Sequence, residues 1–298
     1  MKKITGIILL AVLLLSGCSD STSESAYGTF TAKEYYPASE VTGKVISFMK
    51  SESDSLEANE IIAILDTTEI QLQINEMQAT IELKELMTIN RDNELAILAQ
   101  ERENLAVDIK RYQQLTAAEA APGKNLDDLN ASARILQIKE QSARLAKESS
   151  IKETKLAGIK LEQLEARKSK FFLKSPIKGT LLDKYFSVGE IVPAGKAFAK
   201  IADLEIMTAK VYISEIQLPI ISLAKDVVLG IDTQDGGYTF IPSHITNIAQ
   251  QAEFTPKIIQ TKEQRVKLVY EVEAECPNDG KLKIGMPVTM FLDMTLEK

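Results

Sequence analysis

The sequence predicts an elongated molecule of mixed α and β structure. A β sandwich is split by an inserted antiparallel helical hairpin and followed by a small β-barrel. Three observations predict this. Residues 67 to about 170 are dense in Glu, Gln, Lys, Leu, Ile and Ala and hold just three breakers, Pro122, Gly123 and Gly158. The flanking segments are rich in Val, Thr, Tyr and Phe with glycine punctuation, the texture of short strands. Those flanks also repeat each other. Sliding the chain by the 136 residues between Gly43 and Gly179 superposes Val45 on Leu181, Asp54 on Glu190, Leu56 on Val192, Ile62 on Phe198 and Leu65 on Ile201, without a gap.

The first element is a leader. Lys2 and Lys3 precede an apolar run from Ile4 to Leu15. A spanning helix needs roughly 20 apolar residues, so this run reads as a signal peptide over residues 1–17. It ends in Leu15-Ser16-Gly17-Cys18, which resembles the bacterial lipobox and makes Cys18 the expected lipidation site. Acyl chains anchor a protein to a membrane without spanning it. Residues 18–26 are a Ser-rich tether with no apolar face. Cys276 is the only other cysteine, so no intramolecular disulfide forms once Cys18 is acylated. Removal of Lys2 and Lys3 takes the net charge from −7 to −9. An acidic exported chain without a basic stripe argues against nucleic acid as a partner. The absence of Trp and the scarcity of aromatics suit an elongated, helix-rich shape.

Residues 27–66 form the first half-sandwich with its lead-in strand, ending in the apolar "NEIIAILD". Residues 67–170 form the hairpin. With Ile70 at heptad position a, the a series is Ile70, Met77, Lys84, Arg91, Leu98, Leu105 and Tyr112. The d series is Ile74, Ile81, Thr88, Leu95, Arg102, Ile109 and Thr116. The polar misfits near 84–91 suggest a stutter, with Leu83, Leu86 and Ile89 taking over the seam. On the return arm Leu126, Leu129, Ala133, Leu136, Ala143, Ala157, Leu161 and Leu164 share a face. "AAPGKN" separates the arms. Pro122 stops a helix, Gly123 offers unusual backbone angles, and Asn125 is the expected N-cap. Each arm would run roughly 70 Å at 1.5 Å per residue.

Residues 171–204 carry the second half-sandwich and 205–298 the barrel, with short strands between turns such as Asp235-Gly236-Gly237 and Asn278-Asp279-Gly280. Gly43, Gly179, Gly189 and Gly195 are expected at turns. Asn59 stands where the second copy has Gly195, and Asn tolerates the left-handed region; Ser53 stands at Gly189 and is the weak point of the repeat. Neither half, at about 25 to 30 residues, can bury a core alone. The two must fold as one body, with the hairpin projecting from it.

Catalytic chemistry is sparse. His244 is the only histidine and there is no G-x-x-x-x-G-K-[ST] loop. A metal site or a nucleophilic triad would need more His or Cys. The chain reads as non-enzymatic, without cofactor or metal, and Lys178 lacks the setting of a lipoyl attachment lysine.

The segments "VTGKVISF", "DSLEANEIIAILD", "LKSPIKGTLLDKYFSVGEIVPAGKAFAKIAD" and, most specifically, "FTPKIIQTKEQRVKLVYEVEAECPNDGKLKIGMPVTMFL" at 254–292 resemble the HlyD-type periplasmic adaptor, or membrane fusion protein, family. The likeness is to adaptors that work with ABC-type exporters. It implies a lipoyl-like sandwich, a hairpin and a barrel. It also implies an inner-membrane ABC-type transporter and a TolC-like outer-membrane channel as partners, self-association into a hexameric ring, and no cofactor. In that family the hairpin tip carries an Arg, a Leu four residues on and a Ser seven further, and contacts the channel. Here Arg111 and Leu115 match, and Pro122 holds the Ser position. A further membrane-proximal domain, common in the family, is minimal or missing. The resemblance places the anchor in the inner membrane, whereas Ser19 fits outer-membrane sorting. The rival readings are a ligand-binding lipoprotein, which needs a two-lobed cleft, and a structural coiled-coil envelope lipoprotein, which has no use for a split repeat.

Overall fold

A computed structural model describes residues 25–254 and 268–294. The chain runs β1 (Ser25–Tyr35), β2 (Gly43–Phe48), β3 (Ser55–Leu56), β4 (Ile61–Leu65), α1 (Thr68–Ala117) and α2 (Gly123–Ser169). It returns through β5 (Phe172–Lys174), β6 (Gly179–Lys184), β7 (Ile191–Val192) and the long β8 (Ala199–Ile213). The last part holds β9 (Asp226–Asp232), β10 (Tyr238–Ile248), β11 (Glu253–Phe254), β12 (Leu268–Pro277) and β13 (Pro287–Phe291). The signal peptide, Cys18 and residues 255–267 of the family-like segment lie outside the described residues.

The sandwich is built by exchange. The Val45 amide donates to the Glu190 carbonyl at 2.8 Å, and the Leu181 amide donates to Asp54 at 3.0 Å. The Asn59 amide donates to Ser175 at 2.8 Å, and its counterpart Gly195 donates to Ser39 at 2.7 Å. Each of these bonds has a partner 136 residues away with the halves swapped. β2 pairs with β7, and β3 with β6, in the same reciprocal way. One core results, with Val45, Leu56, Ile62, Leu65, Leu181, Val192, Phe198 and Ile201 at most 2% exposed.

The repeat extends to backbone strain. Gly189 and Gly195 have φ of +94° and +80°, and their counterparts Ser53 and Asn59 have +74° and +66°. Ser53 therefore keeps the turn despite its Cβ. The hairpin it sits in is clamped by Asp54, whose Oδ2 accepts the Ser51 amide at 2.8 Å, as Glu190 accepts the Ser187 amide at 2.7 Å. Gly43 and Gly179, expected at turns, instead open strands β2 and β6. They are needed for close approach: a Cβ on Gly179 would lie 2.6 Å from the Ala202 carbonyl oxygen, and one on Gly43 would lie 3.1 Å from the Leu65 side chain.

The hairpin arms pack along most of their length. Of the predicted a and d positions, all but Arg91 and Arg102 are buried or half-buried, and so is every residue of the predicted α2 face. The expected stutter is absent. Leu83, Leu86 and Ile89 point to solvent, at 61%, 57% and 54% exposure. Lys84 and Thr88 stay in the seam because α2 offers polar partners, Glu153 at 2.9 Å and Ser150 at 2.8 Å, with Asp92 joining Lys147 beside them at 2.5 Å, while Arg91 turns outward to Glu94 of its own helix at 2.9 Å.

Six antiparallel strands close the barrel. β12 joins β10, β9, β13, β1 and β8 in order, and β8 returns to β12. Phe30, Met207, Val211, Leu229, Ile245, Val272, Met290 and Leu292 fill it. Strands β1 and β8 run from barrel into sandwich, and their register shifts between Thr31 and Lys33, where one body gives way to the other.

Candidate functional site

Three places on the hairpin can carry an interaction: its root, its seam and its tip. At the root, two residues separate β4 from α1. Asp66 Oδ1 accepts the Thr68 hydroxyl at 2.6 Å and the Thr68 amide at 2.9 Å. These bonds, the hydroxyl first, hold the Asp66 carboxyl below its ordinary value and cap the positive end of the helix. The Leu65 amide donates to Phe171 at 2.9 Å, Lys170 pairs with Glu40 at 2.7 Å, and Lys168 donates to Gln71 across the arms. The first and last turns of the hairpin are thus fastened to the sandwich and to each other.

In the seam toward the tip, Arg102 meets Glu140. Arg102 Nη1 donates to Oε2 at 3.0 Å, while the other carboxylate oxygen, Oε1, is buried without a partner. Glu140 is 8% exposed among Leu105, Ile109 and Leu136, at a groove that also takes in Arg144. The sequence reading did not single out Glu140. The signal was Arg102 at a d position, which calls for an acid on the facing arm.

At the tip, α1 ends in a Schellman motif. The Glu119 amide donates to Thr116 at 3.1 Å and the Ala120 amide to Leu115 at 2.8 Å. The left-handed residue is Glu119, with φ of +55°. Gly123, expected to supply that angle, is instead the first residue of α2, and Pro122 occupies the N-cap with ψ of +136° rather than Asn125. Proline fits there because the first turn has no use for its missing N–H. Arg111 and Leu115 lie four residues apart and so on one face. Both are exposed, as is Pro122. Among the described residues Arg111 pairs with Asp108 of its own helix alone, at 3.3 Å. The tip therefore offers a cation and an apolar side chain to a partner at little cost in broken contacts.

Lys178 pairs with Glu205 at 2.6 Å, which holds its ammonium above the usual range. His244 is exposed on β10 opposite Glu275. Cys276 is buried, and burial pushes its thiol up to about 11. Among the described residues no group of His, Cys, Asp and Glu could hold a metal ion, and no helix is long and apolar enough to cross a membrane.

The closed barrel, the exchanged sandwich and the projecting hairpin occur together in solved structures. MacA from Actinobacillus actinomycetemcomitans superposes on 89% of this chain and 77% of its own, at 18% identity and a TM-score of 0.61. The chain has the membrane-fusion-protein fold. The membrane fusion protein Spr0693 from Streptococcus pneumoniae R6 covers 89% of this chain and 97% of its own at 17% identity and a TM-score of 0.50. By sequence, a UPF0194 membrane protein of Acidithiobacillus ferridurans is 22% identical over 97% of this chain and 95% of its own length. The UPF0194 membrane protein YbhG of Salmonella gallinarum is 31% identical over 40% of this chain and 35% of its own. No family model matches the chain.

Proposed function

We propose that this protein is a lipid-anchored periplasmic adaptor that links an inner-membrane, ABC-type transporter to a TolC-like outer-membrane channel. The observation that carries the reading is the closure of one sandwich from segments on either side of the hairpin, which fixes a helical arm of roughly 70 Å to a body that docks below. The mechanism is mechanical. Sandwich and barrel sit on the transporter, the arms of neighbouring copies form a wall, and the tips meet the channel. Such a wall, in a hexameric ring, suits the apolar residues that the arms leave outside their seam: Leu72, Leu83, Leu86, Ile97, Ile138 and Leu156 are each more than half exposed. Arg111 and Leu115 supply the channel contact beside the Pro122 turn. Gly189 and Gly195 serve turns, and Gly43 and Gly179 serve strand contacts.

The test is site-specific photocrosslinking in the native envelope. A photoreactive residue at Leu115 should capture an outer-membrane channel protein, and one at Ile97 a second copy of this chain. If Leu115 captures nothing while the chain is folded and abundant, or if deleting the channel leaves the crosslink intact, the bridging role is wrong.

A further inference from the structure

The barrel carries an exposed aromatic cluster that the bridging role leaves unused. Tyr238 and Phe291 meet edge-on with ring centroids 5.2 Å apart, and Phe240 and Phe291 do so at 5.6 Å. Tyr238 is 38% exposed and Phe240 41%. The register explains the grouping. Phe240 lies opposite Gly230, Gly230 opposite Thr289, and Thr289 opposite Tyr27. Residues opposite one another share a face, here the outer one, since the alternate residues Leu229, Met290 and Ala26 fill the barrel. Tyr27 adds a further exposed ring on that face, at 58%. Gly230 is the floor. A Cβ there would meet the Phe291 ring at 2.7 Å and the Tyr238 ring at 2.9 Å. The rings are thus seated on backbone in a fixed arrangement, held toward solvent.

The position of this face is set by the chain that precedes it. Ser25 pairs directly with Phe291. Ser25 is the seventh residue after Cys18, and a fully extended chain covers about 3.5 Å per residue, so an anchor at Cys18 would hold Ser25, and with it this face, within about 25 Å of its point of attachment. We infer that the Tyr238–Phe240–Phe291 cluster, with Tyr27, rests on the lipid headgroup region of the bilayer that holds the anchor. The inference depends on the lipid anchor of the proposed function. Aromatic rings suit that location, with an apolar body and, in tyrosine, a polar tip. The mature chain is acidic, so attraction to anionic lipid does not drive the contact; burial of the rings does. The contact turns a one-point attachment into a two-point attachment and sets how the barrel stands on the membrane.

The absence of Trp makes a clean test. Full-length lipidated protein carrying Phe240→Trp, or Tyr27→Trp on the same face, is incorporated into phosphatidylcholine vesicles with brominated acyl chains. Tyr185→Trp on the sandwich serves as control. The barrel-face probes should shift to the blue and be quenched, the sandwich probe should do neither, and added salt should change nothing. A chain that fails to float with the vesicles overturns the anchor and this inference with it. A chain that floats with its barrel-face probes unquenched overturns the inference alone. So does a Phe240 position that crosslinks to the transporter while shielded from brominated lipid.

Discussion

Replacing Glu140 with leucine should stabilise the hairpin, and replacing Arg102 should weaken it. Glu140 has lost most of its water, yet only Oε2 is compensated, by Arg102 at 3.0 Å. Exchange of buried ionic groups for apolar residues of similar volume is neutral or stabilising by up to about 4 kcal/mol. Arg102 is 56% exposed at its side chain and can return to water, so Glu140→Leu should fall near the lower part of that range, about 1 kcal/mol. Arg102→Leu leaves the carboxylate with no partner and should cost about 2 kcal/mol. In the Glu140→Leu background the same change should cost nearly nothing. The coupling between the two sites is then about 2 kcal/mol. Because the chain has several bodies, one melting temperature does not isolate this region. The assay is native-state hydrogen exchange at amides 100–106 and 136–143, which reads the local opening free energy. If the two single variants lose protection equally and their effects add, the strained-carboxylate account is wrong.

Other consequences follow from the same geometry. Leu65→Ala removes a fully buried side chain of the shared core and should cost about 2–5 kcal/mol, with protection falling together in residues 43–65 and 172–201; loss in the first segment alone would mean two separate bodies. Asp66→Ala should fray the first turn of α1, seen as faster exchange at Thr68 and its neighbours. Since the Asp66 carboxyl sits below its ordinary value, its contribution is present above its unfolded pKa of about 3.9 and is lost as pH falls through the lower folded value, so a wild-type turn unaffected by acid down to that point and beyond would refute the cap. Cys276, with its thiol at about 11, should resist alkylation at pH 8 in the native protein and react once the barrel is unfolded; rapid native labelling would contradict its burial.

The seam of the hairpin was legible because heptad spacing depends only on residues along one arm. The fate of its misfits was not. Lys84 and Thr88 look like breaks until Glu153 and Ser150 are set opposite them, and that pairing needs the offset between arms, which no local pattern supplies. The tip shows the converse. Gly123 drew attention as the residue of free backbone, yet hydrogen bonds to Thr116 and Leu115 hold Glu119 left-handed. A side chain with poor intrinsic preference can be kept there by the ladder it completes. Ser53 is a similar case. The repeat aligned it with Gly189, but the bonds that hold it left-handed, its amide to Leu181 at 2.8 Å and the Asp54 clamp, lie in the folded turn. Gly43 and Gly179 were recognisable as constrained positions, while the nature of the constraint, a neighbouring strand rather than a turn, lay in tertiary contact. The barrel's strands were readable from texture, its closure through β8 and β12 was not, and the acylation of Cys18 lies outside the described residues.

The aim of the arm is decided at its base. β4 passes into α1 through Asp66 and Thr67, and α2 into β5 through Lys170 and Phe171. Links this short leave little freedom, and the Leu65–Phe171 bond and the Lys170–Glu40 pair span the join. A rod of roughly 70 Å turns a rotation of 5° at its root into a displacement of about 6 Å at Arg111 and Leu115, comparable to one helical turn. Tip position is therefore governed by how the sandwich sits on the barrel, and the sandwich and barrel meet where β1 shifts register between Thr31 and Lys33. If the barrel is held to the bilayer by its aromatic face as well as its tether, that register shift is the main remaining joint between membrane and tip. A tilt of the sandwich on the barrel would then be carried to the tip almost without loss.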